Sequence, residues 1–266
     1  MSTLFKVDRM QLMRNVIKFR VHVKDGSVSQ RSVRVKKLCF ARNCSRDIEG
    51  QRQMLDRKRA QGYNVHGNPS ICMKSCYLLT NEDAIEVQGP QTSGEVEVVS
   101  IASEGEILIS VGSDHNDRSL ETMWTAALGK IYDTAKSKQM VPAVIAKDAW
   151  KYEDVVDHWD RLNMKSYVTV SDKKIPYQNF TLSVLVDLEY HFKINPWLKE
   201  NGTILFGGSW SALSTVPDNI YKFQSSIKGL IFPQGFHFEI FDPVLKRSIS
   251  HSYTIRSLEE PGSISL

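Results

Sequence analysis

Two glutamates separated by a single residue are the first groups in this chain that could do chemistry. In SGEVEVVSI, Ser93 to Ile101, strand side chains repeat every two residues, so Glu95, Glu97 and Val99 share one face while Val96 and Val98 share the other. Taken alone the pair reads as a solvated edge face, because like charges about 7 Å apart repel only weakly in water. One predicted hairpin later comes VGSDHNDRSLE, an apolar strand ending at Gly112 that delivers Ser113, Asp114, His115, Asn116, Asp117 and Arg118 just before a helix. As a bare helix start, Asp114 to Asp117 would cap that helix and favour its positive end. A Glu-x-Glu strand hairpin-paired with a strand ending in Asp can also bring three carboxylates to one point. Such acids raise one another's pKa unless a cation neutralises them. An all-oxygen set selects a hard divalent ion, Mg²⁺, Mn²⁺ or Ca²⁺, able to polarise a carbonyl or enolate.

Other groups point less clearly to a site. Asp154, Asp157, His158 and Asp160 in YEDVVDHWDRL could pass for a metal cluster, but they read more simply as the solvated face of a helix. Cys39-x4-Cys44 and Cys72-x3-Cys76 lack the tight knuckles of a zinc ribbon, so reduced structural thiols are expected. The seven histidines show no metal-ligand spacing.

The elements that must position these residues are mostly strands. NVIKFRVHV alternates and is followed by the KDGS turn, with RSVRVKKLCFA as its expected hairpin partner. Ser45 or Asp47 caps a predicted helix running to about Gln61, and the breaker HGNPS closes an N-terminal lobe, 1–68. From 69 to 266 short strands dominate, CYLLT, AIEVQG, SGEVEVVSI and EILISVG. Two helices follow, SLETMWTAALGKIYDTAKS and YEDVVDHWDRL, then TLSVLVDLEYHF, also read as helix. GTILFGGS and a long hairpin around Phe236, Phe238 and Ile240 complete the chain.

At 266 residues, with 41% hydrophobic and 24% charged residues, the chain can bury a sizeable core and is not a disordered type. Its net charge of +4 is spread out. The one dense basic run, DRKRAQG, sits on a predicted helix face, so no nucleic-acid partner is expected. Neither a membrane span nor a signal peptide is apparent, and a cytoplasmic protein that does not bind membranes is expected.

Five motifs in order give the chain a resemblance to the fumarylacetoacetate hydrolase superfamily, over most of the segment from Pro69 to Ile255. PSICMKSCYLLTNEDAIEVQG looks like its P-x-x-F-x-K segment, and GEVEVVSI is similar to its E-x-E strand. SDHNDRSLE resembles N-D-V-S-A-R-D-L-Q, and GTILFGGSW resembles G-D-x-I-x-T-G-T. FPQGFHFEIFDPVLKRSISHSYTI is similar to the closing strands. TSGEVE, VGSDHNDR, SKQM and DHWDRL look like a bacterial branch whose domain is of unknown function. The resemblance implies an α+β, β-rich fold: a mixed β-roll of the superfamily's C-terminal-domain type with a small N-terminal lobe, commonly as a homodimer. It implies Glu95, Glu97 and Asp114 as ligands of Mg²⁺, or of Mn²⁺ or Ca²⁺, and Arg118, Gly208 and Ser209 as substrate contacts. The family lysine matches Lys138, with Lys130 as competitor.

One departure stands out. The family's N-Y-x-D-H-x-x-E supplies a His–Glu pair that activates water, whereas FARNCSRDIEG has no histidine. A general base must reach its proton directly or through one water, which leaves Glu49, Asp47 or His66 as substitutes. The expected activity is divalent-metal-dependent hydrolysis of C–C bonds in acylpyruvate or 1,3-dicarbonyl-type 2-oxo acids. Hydratase, decarboxylase or isomerase chemistry on the same enolate is the alternative, as is a non-catalytic metabolite-binding protein of the same fold.

Overall fold

The structure is a computed structural model that describes residues 16–60, 70–121, 134–223 and 227–258. The chain opens with strands β1 (Val16–His22), β2 (Val28–Arg34) and β3 (Lys37–Arg42), helix α1 (Ile48–Ala60) and strand β4 (Ser70–Lys74). Short strands β5 (Leu79–Thr80), β6 (Ala84–Val87) and β7 (Thr92–Ser93) lead to the long pair β8 (Val96–Ser103) and β9 (Glu106–Ser113). After β10 (Asn116–Asp117) come helix α2 (Thr134–Gln139) and strands β11 (Ala143–Ile145), β12 (Asp148–Lys151), β13 (Asn163–Val170) and β14 (Lys173–Thr181). Helix α3 (Leu188–Ile194) precedes β15 (Thr203–Phe206), β16 (Gly235–Asp242) and β17 (Arg247–Ser257).

Among the described residues a ten-stranded mixed sheet runs β2-β1-β12-β9-β8-β15-β3-β4, with β5 and β11 attached beside β9. A five-stranded sheet, β14-β13-β16-β17-β6, packs against it, and β7 and β10 form a two-stranded ribbon. The β-rich α+β architecture expected from the sequence is the one observed. Strands β1 to β3, from the segment read as an N-terminal lobe, are hydrogen-bonded into the same sheet as β8, β9 and β15. No helix among the described residues is long and apolar enough to cross a membrane.

Strand β8 shows why the sheet has two cores. Its Val96 and Val98 join Val111, Phe236, Phe238, Ile240 and Tyr253 between the sheets, while Val99 and Ile101 join Phe19, Leu38, Phe40, Ile204 and Phe206 on the opposite side. Every residue of β8 is buried, since it lies between β9 and β15 and is covered on both faces. The solvated edge expected from the Glu-x-Glu pattern alone is therefore corrected: this is a central strand, and central strands lose their bare alternation because both faces need apolar cover.

Other local expectations also change. RSVRVKKLCFA is not one hairpin partner. It splits between β2, which pairs antiparallel with β1, and β3, which pairs parallel with β15. YEDVVDHWDRL is not an α-helix but two 3₁₀ segments, Tyr152–Asp154 and Val156–Arg161, with His158 at a non-helical φ of −129°. TLSVLVDLEYHF contains the end of β14, a 3₁₀ turn at Leu182–Val184, and then α3, capped by Asp187 accepting from the Tyr190 amide at 2.8 Å. Of the expected helix SLETMWTAALGKIYDTAKS, residues 122–133 lie outside the described residues. So do Lys130, His66 and the HGNPS boundary.

Candidate metal and substrate site

The hairpin register brings the acids together. Glu95 N–H donates to Asp114 O at 3.1 Å and Asp114 N–H to Glu95 O at 2.9 Å, and the ladder continues with Glu97 opposite Gly112. Directly paired residues project to the same side of a sheet, so the side chains of Glu95, Glu97 and Asp114 share one face. Gly112 is required there: a Cβ would come within 2.5 Å of the Phe206 ring and 2.8 Å of Val144 O. Phe206 itself stacks on Phe40 at a centroid distance of 4.6 Å, closing the floor beneath the acids.

Glu97 and Asp114 are both buried. Glu97 Oε2 accepts the Gly208 N–H at 3.1 Å. Gly208 sits at φ +97°, where a Cβ would meet Cys44 at 2.8 Å, so glycine lets the backbone come close enough to make this bond. Burial, then the neighbouring charges of Asp114 and Glu95, push Glu97 well above the usual carboxylate range, with Lys138 and the Gly208 amide working the other way. Asp114 Oδ2 takes the Lys138 ammonium, and Asp114 Oδ1 is buried without a hydrogen-bond partner among the described residues. Burial disfavours the Lys138 ammonium, but Asp114, Glu95 and Glu97 outweigh it and hold it above the ordinary lysine value.

Arg118, matched by resemblance to a substrate contact, is engaged with side chains of the chain itself. It is 3% exposed; Nε donates to Ser93 Oγ at 2.7 Å, Nη1 to Glu121 at 2.9 Å and Nη2 to Glu95 at 2.7 Å. Its guanidinium also lies over the rings of Tyr221 and Phe223, at 5.4 and 5.3 Å. It holds Glu95 in place. Gly208 likewise holds Glu97, and Ser209 Oγ accepts from Gln178 Nε2 at 2.8 Å. Gln178, a residue for which the sequence offers no motif, also donates to Trp210 O at 2.6 Å and accepts from Val96 N–H at 3.0 Å. It ties the loop carrying Gly208 to the start of β8.

Two of the three candidate bases, Glu49 and Asp47, lie among the described residues, at the start of α1. Glu49 is on the exposed first turn of α1, where Arg52 and Gln53 donate to it and draw its pKa down. Asp47 accepts the Gly50 N–H at 2.9 Å as a helix-start acid. Neither joins the acid face. Within DHWD, Asp160 is gripped by Arg46 at 2.6 and 2.7 Å, and His158 Nε2 lies 2.9 Å from Asp242.

The sequence reading missed Lys74. It is 4% exposed, on the same side of β4 as Cys72, and burial pulls its pKa down to about 7, with Asp114 opposing. The lysine at the end of the P-x-x-F-x-K match was the available signal. The four cysteines are free thiols.

Among the described residues, no three His, Cys, Asp or Glu side chains are gathered into a finished ligand set; Lys138 and Arg118 each occupy one oxygen of it. The donor chemistry nevertheless suits a hard cation. Three carboxylates on one face, one of them held toward its neutral form and another with an orphaned buried oxygen, are short of positive charge.

The fold has known counterparts. A yeast fumarylacetoacetate hydrolase family protein matches at 13% identity and TM-score 0.50, covering 87% of this chain and 97% of that one. The 5-carboxymethyl-2-hydroxymuconate delta-isomerase from Mycobacterium smegmatis matches at 11% identity and TM-score 0.52, covering 88% of each chain. A 2-keto-3-deoxyarabinonate dehydratase matches at 13% identity and TM-score 0.51, covering 97% of this chain and 83% of that one. No curated protein matches the sequence. The family model described as protein of unknown function (DUF2848) matches residues 66–253. The chain thus belongs to the DUF2848 family and has the fumarylacetoacetate hydrolase fold.

Proposed function

We propose that this protein is a divalent-metal-dependent enzyme acting on 2-oxo acids or 1,3-dicarbonyls through their enolates. The observation that carries the reading is the shared face of Glu95, Glu97 and Asp114, with a buried Asp114 oxygen that has no hydrogen-bond partner among the described residues. These three carboxylates would hold Mg²⁺ or Mn²⁺, with Ca²⁺ as the larger alternative. When bound, such a cation polarises a carbonyl and stabilises enolate charge. The rest falls to the chain's own side chains. Arg118 and the Gly208 amide fix the two glutamates, so that the carboxylates need little reorganisation. Lys138 stays protonated and directs its charge toward the oxygen that becomes anionic, while Phe40 and Phe206 keep water from beneath the site.

C–C hydrolysis also needs a group that activates water. Glu49 and Asp47 stand on the surface start of α1, engaged by Arg52 and by the Gly50 amide. That favours dehydration, decarboxylation or isomerisation, which add no water to the substrate, over hydrolysis on the same face. The printed activities of the isomerase and the dehydratase that share the fold are of this kind. The protein acts as a cytoplasmic homodimer in this reading. Turnover of a panel of acylpyruvates, oxaloacetate and 2-keto-3-deoxy acids with Mg²⁺ or Mn²⁺ tests it. Metal-dependent turnover that Glu97→Gln abolishes supports the proposal; metal binding with no turnover on any member would instead make the protein a metabolite binder.

A further inference from the structure

The side of the hairpin that faces away from the acids carries a hydrogen-bonded chain with no part in the proposed chemistry. Glu95 and Asp114 pair across the hairpin, so their neighbours Gly94, Ser113 and His115 turn the other way, toward the five-stranded sheet. There Tyr253 of β17, 2% exposed beside Phe236 and Phe238, brings its hydroxyl to 2.8 Å from Ser113 Oγ and 2.8 Å from His115 Nδ1. One phenol oxygen thus holds both residues that flank Asp114. Gly94 leaves the room for it: a Cβ there would collide with Ser113 Oγ and stand 2.7 Å from the Tyr253 hydroxyl. The motif N-D-V-S-A-R-D-L-Q that SDHNDRSLE resembles has valine where this chain has His115, so the anchor is a feature of this chain and not of the resemblance.

The chain runs on from His115, whose Nε2 lies 2.8 Å from Thr92 Oγ1 on β7. Burial, with the Arg118 and Lys74 charges, holds this ring well below the ordinary imidazole range. A neutral imidazole has one donor and one acceptor nitrogen, so it serves both hydroxyls at once. Next to Thr92, Ser93 Oγ accepts from Arg118, which also donates to Glu95. Tyr253 therefore stands behind two of the acids, reaching Asp114 through its sequence neighbours and Glu95 through β7 and Arg118. Thr92, Ser113, His115 and Tyr253 are all buried, and a buried polar chain whose members satisfy one another fixes a single arrangement of the strands that carry it. We infer that Tyr253 is a positioning residue of the acid face: through Ser113 and His115 it sets where the Asp114 carboxylate stands relative to Glu95 and Glu97. The inference deepens the proposed function and rests on it for the cation that the face receives. Mg²⁺ demands near-ideal octahedral geometry at short distances, whereas Ca²⁺ tolerates varied ligand numbers and longer ones. A displaced carboxylate therefore costs Mg²⁺ more than Ca²⁺, and the anchor tunes the choice between them.

The test is calorimetric titration of Mg²⁺ and, separately, of Ca²⁺ into the wild type, Tyr253→Phe and Ile249→Val, with melting temperatures of the three metal-free proteins. Phenylalanine removes one oxygen and keeps the ring. Ile249, buried on the same strand, shows what a loss of core packing alone does to the face. The expected result for Tyr253→Phe is Mg²⁺ affinity lowered by about tenfold and Ca²⁺ affinity by less than about threefold. Ile249→Val should melt lower and bind both ions as the wild type does. Thr92→Val, which cuts the chain at its far end, serves as a second variant should Tyr253→Phe fail to fold, and it should show the same preferential loss of Mg²⁺. Wild-type affinities in Tyr253→Phe, even with a lowered melting temperature, make Tyr253 a structural residue and overturn its role alone. Equal losses for the two ions, or the same losses in Ile249→Val, also overturn it. A wild type that binds neither ion overturns the proposed function together with the inference.

Discussion

Glu95 and Asp114 exchange both backbone hydrogen bonds of an antiparallel pair, at 3.1 and 2.9 Å, and so present their carboxylates on one face although the whole hairpin from Val96 to Ser113 lies between them. Asp114 Oδ1, on the Asp114 side of that pair, is left buried with no hydrogen-bond partner among the described residues. This pairing places the second glutamate, Glu97, in the same row by strand parity alone.

Glu97→Gln should therefore stabilise the metal-free protein. Burial and the Asp114 charge raise the Glu97 pKa, so folding must hold a proton on a group that is ionised in the unfolded chain above its ordinary pKa of 4.5. Stability lost in this way grows as pH rises above that value, and the amide removes the loss. At pH 7 the variant is expected to melt a few degrees higher by differential scanning calorimetry, and a lower melting temperature would contradict the origin assigned to the shift.

Arg118→Met should have the opposite effect. It strips Glu95 and Glu121 of a buried partner and leaves the Tyr221 and Phe223 rings without their stacked guanidinium. Breaking a buried pair from one side costs about 3–5 kcal/mol, measurable as a shifted denaturant midpoint. Arg118→Lys should recover only part of the loss, since a lysine cannot reach three acceptors in a planar fork.

Glu49→Gln should change neither turnover nor metal affinity. It loses only solvent-exposed contacts with Arg52 and Gln53 on the first turn of α1, which water and salt screen. A large fall in turnover with intact stability would return Glu49 to the active site.

His191 supplies the pH dependence of stability away from the site. It is fully buried on α3, neither ring nitrogen has a partner among the described residues, and burial, opposed by Asp187, lowers its pKa to about 4. Because the unfolded imidazole binds its proton near pH 6.5, the stability is present above that pH and is lost as pH falls toward 4, by about 3 kcal/mol at the limit. Melting curves between pH 7 and 4 should show a shallower slope in His191→Leu than in the wild type.

The fold and the acid face were legible in the sequence to different degrees. Period-two alternation in Ile17–Val21 and Phe236–Ile240 is a local property of half-buried strands and located β1 and β16. The parallel pairing of β3 with β15 joins residues Lys37 and Thr203 and has no local signature. YEDVVDHWDRL carries helical spacing of Val155, Val156, Trp159 and Leu162, yet the chain adopts 3₁₀ turns there, with His158 and Asp160 drawn into pairs with Asp242 and Arg46. Glu95, Glu97 and Asp114 could be placed on one face because a hairpin register needs only strand parity and a turn length. The occupation of Glu95 by Arg118 could not be foreseen, since it depends on where residues 93, 118 and 121 meet in three dimensions. Lys74 was hidden for the same reason, because burial on an edge strand is set by what covers it.

The most direct measurement is Mn²⁺ binding followed by paramagnetic resonance, in the wild type and in Glu97→Gln and Asp114→Asn. Saturable, stoichiometric binding in the wild type that weakens by at least about a hundredfold in each variant is the predicted result, given a loss of several kcal/mol for an absent carboxylate ligand. Mn²⁺ that binds all three proteins equally, or none of them, would contradict a cation centre built on this hairpin.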